Sequence, residues 1–213
     1  MTSSSSAAAM PKRKMLLTTR QISVAAVLGG LSLITEAFGL SLPGYLPGVN
    51  FNLVGAYLSI ATMAAGPLGG IIVTILDSFT SSVGFYGLPF YWPHIFVLAV
   101  FYKRIYAMNS TAAKVVSYWA VTAVALFIQY WGWFFLYVYV FKFAPTIWPL
   151  AVYNFVGVIP YATFLAIYAL VPAVLLVSTP NFVKPTWNFP YLRWITILSV
   201  VLTAIAVATQ AGL

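Results

Sequence analysis

The chain contains no cysteine and just two acidic residues, Glu36 and Asp77, in 213 positions. The first absence excludes disulfides and thiolate metal sites, and it leaves the redox compartment unreadable. The second leaves a net charge of +8, with charged residues at 6% of the chain against 62% hydrophobic. A water-soluble domain carries about a quarter charged residues, so this chain has too few to cover a surface facing water. It also has no G-x-x-x-x-G-K-[ST] run, which excludes a P-loop, and no long polar loop or evident internal repeat. The solvent these absences imply is lipid. Backbone groups cannot stay unpaired in hydrocarbon, so the spanning segments are helices or a closed barrel. The apolar runs are too continuous for the alternating pattern of barrel strands. The sequence therefore predicts an all-α polytopic membrane protein.

A helix crossing the hydrocarbon core needs about 20 residues, and roughly 17 suffice. Candidate spans are 20–41, 50–65, 67–83, 92–107, 114–141, 147–178 and 191–211. They make a bundle of six core transmembrane helices plus a seventh, C-terminal one. Residues 1–17 read as a disordered basic tail, 18–180 as one six-helix membrane domain, and 181–213 as a linker with the additional helix. The basic cluster ahead of the first apolar run mimics a signal peptide. That run exceeds an h-region and has no convincing cleavage site, so it reads as the flank of a retained helix. Gly66-Pro67 reads as a tight turn that stops the second and third helices at the same membrane face.

With the N-terminus cytoplasmic, Lys12, Arg13, Lys14, Arg20, Lys103, Arg104, Lys114, Lys184 and Arg193 fall inside and Lys142 outside. That is the asymmetry the positive-inside rule requires. The basic residues are dispersed around the ends of apolar runs, so they read as topology signals and not as a nucleic-acid surface. The chain is expected to be a multi-pass protein of the cell membrane.

Polar residues inside the spans are few, and each has a structural and a functional reading. An acid near the bilayer midplane costs about 2.5–3.5 kcal/mol, more than one interhelical hydrogen bond returns. Asp77 is thus expected to have several partners, to be protonated or to face a watered cavity. Gly66, Gly70, Thr74, Ser78 and Ser82 recur every four residues and form a small, polar stripe beside it. Asp77 is either a pin between helices or a group that meets a ligand. Glu36, near the outer end of the first span, is solvated at the interface or charges a pocket.

His94 is the sole histidine and a poor metal candidate. Gln129 lies in mid-span, with Tyr130, Trp133 and Tyr137 on one helical face. Asn154 precedes Pro160, so it either satisfies kinked backbone or offers a ligand both donor and acceptor. Tyr86, Tyr91 and Trp92 form either an interfacial aromatic belt or the lid of a cavity.

The small-residue pattern VAAVLGG (24–30), the GPLGG turn, the Asp77 helix after it and the VYN…P pattern of the sixth span carry a resemblance over residues 15–180. In these features the chain resembles the substrate-specific S components of energy-coupling factor (ECF) transporters. The seventh span departs from that pattern. The resemblance implies a substrate-binding membrane subunit that captures a vitamin-like small molecule in an outward-facing pocket, without enzymatic activity, cofactor or metal. It implies as partners a transmembrane coupling subunit and two cytoplasmic ATPases. Ala25, Ala26, Gly29 and Gly30 would face the coupling subunit.

The candidate lining is Glu36, Asn50, Tyr86, Trp92, His94, Gln129, Tyr130, Trp133, Tyr137, Tyr153 and Asn154. Such an aromatic, nearly charge-free cavity suits a neutral or cationic heterocycle, thiamine-like or flavin-like. A stand-alone proton- or ion-coupled transporter using Asp77 and Glu36 is the alternative.

Overall fold

The structure, a computed structural model, describes residues 16–43, 50–81, 83–143, 145–152, 156 and 170–210. Helix α1 (Thr19–Ala37) starts at a reciprocal cap. The Thr18 hydroxyl accepts from the Gln21 N–H at 3.3 Å, and the Thr18 N–H donates to the Gln21 side chain at 2.8 Å. Two of the helix's first orphan donors are thereby satisfied. A short antiparallel hairpin follows, β1 (Ser41–Pro43) paired with β2 (Asn50–Asn52), before α2 (Val54–Ala65). Gly66, at φ 77°, turns the chain, and Pro67 opens α3 (Pro67–Asp77). Positive φ carries no Cβ penalty for glycine, and proline lacks the N–H that a first helical turn would leave unpaired. The predicted turn is therefore in place.

A 3-10 turn (Gly84–Gly87) leads into α4 (Leu88–Ala107), and Ser110 caps α5 (Thr111–Phe135). Helix α5 ends in a wider π-helical turn, Leu136–Val140. Helices α6 (Ile147–Val152), α7 (Leu170–Ser178) and α8 (Leu192–Gln210) complete the described chain. The continuous helical segments 84–107 and 111–140 are long and apolar enough to cross a membrane.

Helices α2 and α3 are shorter than the predicted spans 50–65 and 67–83. At 1.5 Å per residue they reach roughly 18 and 16 Å, against about 30 Å of hydrocarbon. Hydroxyl side chains explain where α3 stops. Ser78 donates to the Thr74 carbonyl at 2.7 Å, and Thr80 to the Asp77 carbonyl at 3.3 Å. Such local bonds compete with the next turn of backbone ladder. The predicted sixth span, 147–178, is described at its two ends, as α6 and α7, and its centre lies outside the described residues. All but the last two residues of the predicted tail lie outside them too.

Among the described residues, apolar clusters fill the interior, and two of them hold the α2–α4–α5 packing together. One joins Met63, Leu98, Tyr102, Tyr118, Leu176 and Trp187, and the other joins Leu58, Val73, Tyr91, Ile95 and Trp133. The first sits at the end of the molecule where basic residues gather. There Arg20 donates to the carbonyls of Asn181 and Phe182 at 3.0 and 3.1 Å. Tyr102 donates to the Val183 carbonyl at 2.8 Å, and Lys114 lies over the Tyr106 ring. Large apolar side chains nevertheless remain outside. Ile22, Val27, Leu31 and Ile34 of α1 are exposed, as are Trp194, Ile197, Leu198, Val201, Leu202 and Ile205 of α8.

The proposed docking quartet on α1 divides. Ala25 and Gly29 are buried, and Gly29 receives Leu76 of α3, so these two pack within the chain and are not on a free face. Ala26 is exposed, and a Cβ on Gly30 would meet nothing within 4 Å. A leucine at the two glycines should therefore act differently. Gly29→Leu is expected to destabilise the purified protein by about 1–3 kcal/mol through overpacking, and Gly30→Leu by less than about 0.5 kcal/mol. Thermal unfolding in detergent measures both, and equal effects would refute this packing of α1 on α3.

Candidate functional site

Helices α4 and α5 lie antiparallel. Tyr102 packs with Tyr118 near one end, and Tyr91 meets Trp133 edge-on near the other, with 5.3 Å between ring centroids. Between those ends, the buried face of α5 carries Tyr118, Thr122, Leu126, Gln129 and Trp133 at helical spacing. His94 is fully buried on α4, and its Nε2 shares a 3.2 Å hydrogen bond with Ser59 of α2. The Tyr118 hydroxyl lies against Ser59 and Thr122. Polar side chains from three helices thus meet inside an otherwise apolar bundle.

Gln129 lies two turns beyond Thr122 on the same face, and its Oε1 is buried without a hydrogen-bond partner among the described residues. The indole N–H of Trp92 is buried in the same condition. Each unpaired group costs about 1–3 kcal/mol, so both positions favour a bound molecule that donates to the amide or accepts from the indole.

The predicted lining is only partly gathered. Trp92, Trp133 and Tyr137 pack in one cluster with Tyr91, the Trp133 and Tyr137 rings 5.9 Å apart. Tyr130 instead packs with Phe134 beside Val138, Ile147 and Ala151, toward α6. Positions three apart on a helix differ by about 60° around its axis, enough for Tyr130 and Trp133 to meet different neighbours. Tyr86 is 69% exposed on the 3-10 turn, which places it on the surface and not in a lining. Asn50 is placed by its backbone in β2. Tyr153 and Asn154 lie outside the described residues.

Glu36 belongs elsewhere. It is half-buried on α1, close enough to Asp77 for the two carboxylates to repel. It therefore faces the α1–α3 seam, while His94 and Gln129 occupy the interior of α2, α4 and α5. Asp77 closes α3. Its Oδ1 accepts from the Ser32 hydroxyl at 2.7 Å, and its Oδ2 is buried without a partner among the described residues. Of the expected surroundings for this acid, several side-chain donors are not what the described residues supply. The polar stripe does point inward. Gly70 packs on Thr62 and Ile95, and Thr74 and Ser78 are buried, while Ile75 and Phe79 are exposed. Ser82 lies outside the described residues.

Ser59, Tyr118 and Thr122 were not singled out from the sequence. The signal for Thr122 was its seven-residue distance from Gln129, two full turns on one face. Among the described residues, no three His, Asp or Glu side chains come together to hold a metal ion. No family model, curated protein or solved structure matches the chain.

The Ser32–Asp77 bond crosses the α1–α3 seam, and Ser32 is the acid's one side-chain donor among the described residues. Ser32→Ala is expected to lower stability by about 1–3 kcal/mol, since it leaves the buried carboxyl unpaired. Unfolding of the purified protein, followed by tryptophan emission, checks this. An unchanged midpoint would mean that the bond contributes nothing.

Proposed function

We propose that the chain is a multi-pass cell-membrane protein that captures a vitamin-like small molecule in its interior, as the substrate-binding subunit of an ECF-type importer. The observation that carries the reading is the buried polar set of Ser59, His94, Tyr118, Thr122 and Gln129 between apolar helices. Buried polar groups in a lipid-solvated bundle are expensive and mark ligand paths more often than packing. The aromatic cluster of Trp92, Trp133 and Tyr137 lies beside them, which suits a flat heterocycle held by stacking and oriented by a few hydrogen bonds. The apolar side chains exposed along α1 and α8 suit a lipid environment. Arg20, Lys103, Arg104, Lys114, Lys184 and Arg193 at one end suit insertion with that end in the cytoplasm.

The chain has no P-loop, so energy comes from outside it. A coupling subunit with two ATPases supplies it in this reading, and of the quartet on α1 Ala26 and Gly30 are left free to face that subunit. A second reading rests on the neighbouring carboxyls of Asp77 and Glu36, which suit a stand-alone proton- or ion-coupled transporter.

Binding and uptake separate the two. The purified chain should quench its own tryptophan emission on binding one of a panel of vitamins, thiamine and riboflavin included. It should take up none of them when reconstituted alone. Gln129→Leu should weaken binding roughly five- to tenfold, the worth of one hydrogen bond. Uptake by the lone chain under a pH gradient, lost in Asp77→Asn, would establish the second reading instead.

A further inference from the structure

A cavity of about 520 Å³ opens at the basic end of the molecule, between the last turns of α4, the connection before α8 and the first turn of α8. Three cations line it, Lys103, Arg104 and Arg193. Its floor is Trp187, a buried ring whose indole N–H donates to the Met63 carbonyl at 3.1 Å. The Lys103 ammonium stands 4.6 Å above that ring's centroid, and Trp194 and Tyr191 form the exposed rim. The volume lies within the range of small-molecule sites, about 300–1,000 Å³.

No acidic side chain of this protein is placed to neutralise these cations. The sole candidates are Asp77 and Glu36. Helix α3 begins next to Gly66, whose missing Cβ is what admits Trp187, and it reaches Asp77 about 15 Å further on. Glu36 sits with Asp77 at that far end. Three positive groups around one hollow, with no internal counter-charge, call for an anion from outside.

We propose that this cavity holds the phosphate of an anionic phospholipid of the inner leaflet. Lys103, Arg104 and Arg193 surround the headgroup, and the acyl chains run along α8. The lipid is favoured over free phosphate by what lies above the cavity. Trp194, Ile197, Leu198, Val201, Leu202 and Ile205 are all exposed at spacings of three and four, a continuous apolar stripe that starts at the cavity's rim. A soluble anion has no use for that stripe, and an acyl chain covers it. Basic pockets at the cytoplasmic ends of membrane helices hold lipid phosphates in this manner. The proposal rests on the membrane reading above but not on the importer reading.

The test uses the full chain in phosphatidylcholine vesicles, with spin-labelled phosphatidylglycerol or phosphatidylcholine as the probe. The wild type should immobilise the anionic lipid about fivefold or more in preference to the zwitterionic one, the scale of one or more juxtamembrane cations. Lys103→Gln/Arg104→Gln/Arg193→Gln should bring the two lipids within about twofold, and Arg193→Gln alone should lower the preference in the same direction. Removing three charges from the tail, as Lys12→Gln/Arg13→Gln/Lys14→Gln, should leave it in place. The single variant keeps the test decisive if the triple one fails to insert. Equal lipids in the wild type, as for a cavity reserved for an acidic protein segment, would overturn the proposal. So would equal loss in the tail variant, or displacement of the lipid by inorganic phosphate. Failure to immobilise lipid of either kind would instead count against the membrane reading.

Discussion

Close approach of backbones around α3 is the constraint on which the rest of the molecule depends. Gly29 of α1 receives Leu76, Gly70 of α3 receives Thr62 of α2 and Ile95 of α4, and Gly66 receives the ring of Trp187. Small residues at these crossings let van der Waals contacts and short hydrogen bonds form between the apolar helices. The Ser32–Asp77 bond at 2.7 Å is a consequence of that proximity, because it spans the seam that Gly29 allows to close. The Trp187 wedge in turn fixes the connection that forms the floor of the basic cavity.

The same packing sorts the polar groups by depth and by partner. The acid pair is held in the α1–α3 seam, and the neutral set of Ser59, His94, Tyr118, Thr122 and Gln129 is held between α2, α4 and α5. Arg20, Lys103, Arg104, Lys114, Lys184 and Arg193 collect at one end, and Lys142 lies at the other. Each group would suit a different chemistry under the proposals above: an ion or a structural pin for the carboxyls, a flat uncharged or cationic ligand for the neutral set, a phosphate for the cations. Such separation fits the cost of leaving a charge unpaired among apolar side chains.

Much of this was legible in the sequence. The Gly66-Pro67 turn, the inward stripe of α3 and the helical character of the apolar runs follow from residue chemistry that tertiary packing does not override. The start of α2 was not, because Asn50–Asn52 pair with β1, nor was the end of α3, because Ser78 and Thr80 end that helix through local hydroxyl bonds that hydropathy ignores. The fate of Gly29 and Gly30 was also hidden. Both are small and adjacent, and which one meets Leu76 is decided by the rotation of α1, a tertiary property. Periodicity placed Tyr130, Trp133 and Tyr137 together, yet a helical face is wide enough for Tyr130 to turn toward α6. The basic cavity escaped notice because its residues come from segments about 80 positions apart, Lys103 and Trp187 among them, and each basic residue alone reads as a topology signal.

The central claim is that an apolar bundle crosses the membrane with its basic end in the cytoplasm, and the lack of cysteine makes it directly testable. Lys184→Cys and Lys142→Cys each introduce a single thiol, at opposite ends of the molecule. In intact cells a membrane-impermeant maleimide should label Cys at position 142 at once, and at position 184 only after permeabilisation. Labelling of both from the same side, or release of the chain from membranes by alkaline carbonate, would contradict the account.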